Sequence, residues 1–131
     1  MEVQLKIIGS LFILLAFVHV VFPNYFNWKE ELNRLSLINK QIMQVHTLFI
    51  ALAVLLMGIF CLTSTVDIIH TSLGRRISLG FGIFWSCRLL IQFFGYSTKH
   101  WKGRIFETTI HIICSFLWMY VSYIFITIAI A

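Results

Sequence analysis

The chain has 131 residues, of which 60% are hydrophobic and only 11% charged, with a mean hydropathy of +0.91. A soluble domain carries about a quarter of its residues as charges, so this composition excludes an ordinary water-exposed globular fold. The net charge of +5 suits contact with anionic headgroups and does not point to nucleic acid, because no soluble surface is left to bind it.

The few charges stand in short clusters between long apolar runs, the pattern of membrane spans and their connections. The first run is Val3 to Phe22, interrupted by Gln4, Lys6 and His19. Its positive region is Lys6 alone, and Pro23-Asn24-Tyr25-Phe26 is unlike a small-residue cleavage site, so the run reads as a span rather than a signal peptide. Pro23 is expected to end it, since proline cannot continue the hydrogen-bond ladder. Asn27 and Glu30 then stand at capping-box spacing, with Asn less typical there than Ser or Thr. Trp28, Leu32, Leu35 and Ile38 recur at helical spacing, with Lys29, Asn33, Arg34 and Ser36 around the rest of the wheel. Residues 28–39 therefore read as a short amphipathic helix in the headgroup layer, the alternative being an extension of the second span into water.

The second run is Ile42 to Leu62, and the third is Ile77 to Phe94. Between them, Thr63 to Arg76 carries Asp67, His70, Gly74, Arg75 and Arg76. A connection from Gly95 to Arg104 follows, with Lys99, His100, Trp101, Lys102 and Arg104. The fourth run begins between Ile105 and Ile110 and reaches Ala131. A hydrocarbon core needs about 20 helical residues, and each run is near that length. Only helices or closed barrels satisfy the backbone in lipid, and four strands cannot close a barrel.

The expected fold is thus all-α: a polytopic integral membrane protein, a four-helix transmembrane bundle forming a single domain over residues 1–131. Its spans are 3–22, 42–62, 77–94 and 106–130, with the interfacial helix between the first two. Lys29, Arg34, Lys40, Lys99, Lys102 and Arg104 lie on one side, against Lys6, Arg75 and Arg76 on the other. The richer side is expected to face the cytoplasm, leaving both termini non-cytoplasmic, although the tight Arg75–Arg76 pair argues the other way. Cys61, Cys87 and Cys114 all fall inside spans, match no zinc or thioredoxin-type spacing, and read as small apolar residues.

Polar side chains inside spans are costly and normally face the interior or a cavity. Here they are His19, His46, Arg88, Gln92 and His111, with Glu107 one turn before His111. Counted from the span ends, they sit about 5 to 10 Å inside one membrane face. Arg88 and Gln92 share a stripe near Trp85, and Thr108, His111, Ser115, Trp118 and Ser122 form another. Gly9, Ala16 and His19 mark a face of the first span where a neighbour could approach closely.

If the stripes converge, His46 and His111 centre a pocket with His19 and Glu107 as further ligands. Arg88, Gln92 and Ser115 are then its polar partners, and Trp85 and Trp118 its walls. Such a set suits a metal ion or haem, or the headgroup of a quinone or lipid met by Arg88 with histidine moving protons. No H-E-x-x-H is present, and only Ala51 and Ala53 offer small residues near His46 for a haem. Each residue also has a plainer role. His19 can bond a headgroup or a backbone carbonyl, Arg88 can be a counterion for Glu107, and Gln92, Ser115 and Ser122 can bond between helices. Trp28, Tyr96 and Trp101 fit an interfacial aromatic belt. The residues leave three functional classes open, and whether the chain is an enzyme is open with them. The first is a binding protein for a metal, haem, quinone or lipid headgroup. The second is a non-catalytic anchor or assembly subunit of a larger membrane complex. A transporter is the third, and it would need a homo-oligomer because no inverted repeat or broken helix is present.

Overall fold

The computed structural model describes residues 1–25, 30, 32–94 and 105–131, and among these not the side chains of 22–25, 32 and 107. Every regular element among them is helical: α1 (Glu2–Tyr25), a 3-10 turn (Leu32–Arg34), α2 (Leu37–Thr63), α3 (Thr65–His70), α4 (Ser72–Phe94) and α5 (Ile105–Ile130). Four of these, α1, α2, α4 and α5, are long and apolar enough to cross a membrane. The helices group into two compact units, one of residues 3–65 and one of residues 66–131 with Met1 and Glu2.

The element boundaries correct the sequence reading in two places. α1 continues through Pro23 to Tyr25. Proline loses its own bond to the carbonyl four residues back and crowds that carbonyl, a local cost that leaves the helix continuing through it here. The continuous helix expected over 28–39 is interrupted. Leu35 is a bend, and Ser36 has extended dihedrals (φ −60°, ψ 156°) and caps α2 by accepting from the Asn39 N–H. A serine hydroxyl that satisfies an orphan N–H of the first turn starts a helix there rather than continuing one. Leu37, Ile38 and Asn39 therefore belong to α2, and Lys40 reaches back to donate to Asn33 Oδ1 at 2.9 Å. Asn27 and Trp28 lie outside the described residues, as do Tyr96, His100 and Trp101.

The stretch 63–76 is largely helical. α2 ends with the Ser64 N–H bonded to Phe60 O, and Thr65 Oγ1 donates to Cys61 O at 2.6 Å. Thr71 immediately precedes α4, and its hydroxyl accepts from the Gly74 N–H at 2.9 Å while itself donating to Asp67 O. A Cβ on Gly74 would run into the backbone of Asp67 and Ile68, so the α3–α4 corner closes only with glycine there.

In the 3–65 unit the packing seam is a crossing of two glycines. A Cβ built on Gly9 would lie 2.9 Å from Gly58 O, and one on Gly58 would lie 2.8 Å from Gly9 O. Small residues that bring two backbones together are the usual means of helix association where water gives no hydrophobic drive. Leu5, Ile8, Phe12 and Ala16 of α1 and Val54 and Cys61 of α2 are buried along this face.

Several serine and threonine hydroxyls are satisfied inside their own helices. Ser10, Thr47, Thr63, Ser115 and Thr127 each donate to the carbonyl four residues back, which leaves the helix surface apolar. Large side chains such as Leu48, Phe49, Leu56, Phe116 and Tyr123 then point outward.

Gly58→Leu is expected to destabilise the chain by overpacking, about 1–3 kcal/mol, read as a lower thermal midpoint in detergent. Gly80, where a Cβ would meet nothing within 4 Å, is the control: Gly80→Ala should leave the midpoint unchanged or raise it slightly.

Candidate functional site

The polar residues of the 66–131 unit gather on the seam between α4 and α5. Arg88 and Gln92 are one turn apart on α4, so both fall on one stripe. On α5, His111, Ser115, Trp118 and Ser122 recur every three or four residues and form the facing stripe. The two meet at Gln92, which is only 7% exposed. Its Oε1 accepts from Arg88 Nη1 at 3.2 Å, and its Nε2 lies 3.0 Å from His111 Nδ1.

Below this layer the seam is aromatic. Trp85 and Trp118 stack with ring centroids 4.8 Å apart and planes 18° from parallel. The Arg88 guanidinium carbon lies 5.5 Å from the Trp118 ring centroid, within the range of a cation–π contact. The Trp118 indole Nε1 is buried with no hydrogen-bond partner among the described residues, as are the Ser78 and Ser122 hydroxyls. The indole face rather than its N–H is thus what Trp118 offers to the cation. Phe93 meets the His111 ring edge-on at 6.2 Å, and Phe81 meets Phe125 at 5.3 Å further along. Arg88 and His111 remain partly exposed, whereas Trp85 and Trp118 are 2% and 3% exposed. The polar layer therefore reaches the protein surface and the aromatic layer does not.

The structure joins Arg88, Gln92 and His111 into one cluster, with Trp85 and Trp118 as its floor. Ser115 is buried on the same stripe but donates to His111 O at 2.7 Å, within α5. Glu107 lies on the first turn of α5, and its side chain is outside the described residues. His19 and His46 belong to the other compact unit. His19 Nδ1 lies 2.8 Å from Leu15 O. A carbonyl only accepts, so this nitrogen carries the proton and one end of the ring is satisfied within α1. His46 is exposed, about a quarter turn around α2 from the buried Val54, Gly58 and Cys61, by the rotation of roughly 100° per residue.

Among the described residues, no three His, Cys, Asp or Glu side chains come together as a metal-holding group. The cluster offers a guanidinium, an amide and one imidazole. The guanidinium cannot ligate a metal and the amide oxygen is engaged by Arg88, and the three together form a hydrogen-bonding set with positive charge at one end. Sequence reasoning gave Gln92 as a residue able to bond between helices but missed His111 as its partner, and it missed Gly58 as the partner of Gly9. Spacing reveals which stripe a residue is on, but not which residue stands opposite.

Trp118→Ala is expected to cost about 3–5 kcal/mol, and Trp118→Phe roughly 1, since phenyl keeps part of the stack and of the cation contact. Thermal unfolding of the two variants in detergent checks the order. Comparison of the chain with protein-family models, with curated proteins and with solved structures returns no match.

Proposed function

We propose that this chain is a multi-pass membrane protein that binds the polar headgroup of a membrane amphiphile, a lipid or a quinone, at the Arg88–Gln92–His111 layer. The observation that carries the reading is the partly exposed Arg88 guanidinium. It stands six residues from the end of a helix apolar enough to span and is bonded to an amide that reaches a second helix. A cation held that close to the hydrocarbon edge marks a functional site by default. The depth suits an amphiphile, whose headgroup meets Arg88 and His111 while its tail runs deeper, along the exposed Phe84 one turn further into the span on the Arg88 side of α4. Metal or haem binding finds less support, because the described residues supply one imidazole to the cluster and no ligand group of three.

One observation favours a second reading. Gln92 is buried and bonded on both sides, as a residue would be that only pins two helices in register. The chain would then be a non-catalytic anchor or assembly subunit, with Arg88 and Glu107 as structural charges.

Purification in mild detergent, followed by mass analysis of retained lipids and quinones, separates the two. The headgroup reading predicts close to one retained amphiphile per chain. In Arg88→Leu and His111→Leu, loss of a charge-assisted hydrogen bond should lower retention about tenfold or more, while Lys6→Gln should behave as the parent. Equal retention in all four proteins would favour the register-pinning role.

A further inference from the structure

The two hydrogen bonds of Gln92 have a direction, and the direction is forced. Arginine has five N–H donors and no acceptor. The Gln92 atom facing Arg88 at 3.2 Å must therefore be its oxygen, which turns the amide NH2 toward His111. That NH2 can only donate, so His111 Nδ1, 3.0 Å away, must receive it through a lone pair. A proton on Nδ1 would set two donors against each other at hydrogen-bonding distance and break the bond between α4 and α5. The imidazole is left with its proton on Nε2.

We infer that Gln92 is a positioning residue that holds His111 as an Nε2–H donor, so that Arg88 and His111 together recognise a hydrogen-bond-accepting anion, the phosphate of an anionic phospholipid. The inference rests on the headgroup reading above and adds the chemistry of the ligand. Both residues are partly exposed at one edge of the seam, and both contribute donors. The planar guanidinium fork matches phosphate oxygens in a way a single carbonyl does not use. Trp118 under the guanidinium, 5.5 Å from its carbon, fixes the plane of that fork. Phe93 against the imidazole edge limits rotation of the His111 ring. The charged group facing His111 from α4 is Arg88, acting through Gln92, and the acidic residue nearest it along α5 is Glu107.

The test uses the full chain in detergent with three probes: short-chain phosphatidylglycerol, short-chain phosphatidylcholine and a short-tailed benzoquinone. Nitrogen-15 NMR of the histidines, with His111 assigned from His111→Leu, reads the tautomer in parallel. Expected are Nε2 protonation of His111 and binding of both phospholipids through the shared phosphate, phosphatidylglycerol the tighter because the choline cation of phosphatidylcholine is repelled by the Arg88 charge. Gln92→Glu places an acceptor between Arg88 and His111. It should draw the His111 proton to Nδ1 and weaken phosphatidylglycerol about tenfold or more. Gln92→Met, of similar length but without donor or acceptor, should weaken binding with no fixed tautomer and so guards against a folding defect in the first variant. A proton on Nδ1 in the parent protein, or unchanged phosphatidylglycerol binding in Gln92→Glu, would overturn the inference. Binding of the benzoquinone alone would overturn the phosphate assignment and leave the headgroup reading standing. Binding of none of the three probes would remove both.

Discussion

A buried amide that is bonded at both ends sets the arrangement of the C-terminal helix pair. Gln92 sits between a cation on its own helix and an imidazole on the next, in a stretch whose other side chains are apolar. An unpaired amide there would keep a desolvation cost of about 1–3 kcal/mol, so α4 and α5 are held in the one register that satisfies it. The stacked Trp85 and Trp118 lie one to two turns deeper in that same register, and Phe81 meets Phe125 beyond them. Sliding one helix by a turn would unpair the amide and unstack the indoles together, which is why the polar and aromatic layers act as one device.

The N-terminal pair solves the same packing problem differently. Its helices are joined by close approach of two glycines. Several of its polar groups are bonded locally: His19 bonds Leu15 O, Thr47 bonds Met43 O, and Thr63 bonds Ile59 O. The polar side-chain bond between helices lies instead on α4 and α5.

Much of this was legible in the sequence, because apolar length and i, i+4 spacing are local properties. The four long helices follow from runs that need about 20 residues each to cross a hydrocarbon core. The stripe His111–Ser115–Trp118–Ser122 follows from helical periodicity, and Ser115, Trp118 and Ser122 are indeed buried. What was not legible depends on contacts between helices or on a single cap. Ser36 starts α2 five residues before its apolar run, which places Lys40 and Gln41 on the helix rather than in a connection. Pro23 failed as a stop signal because one missing N–H near a helix end is a small loss. His46 was placed in the centre of a pocket from its depth alone, and depth says nothing about azimuth; its exposed position on α2 comes from the Gly9–Gly58 crossing, which turns another face inward.

The central claim is that Gln92 and His111 are energetically one unit across two helices. A double-mutant cycle on Gln92→Leu and His111→Leu, with unfolding followed in detergent, measures that directly. The account predicts a coupling of about 0.6–1.7 kcal/mol, the range of interhelical hydrogen bonds in membrane helices. Single effects that simply add, as for residues with no shared contact, would contradict it.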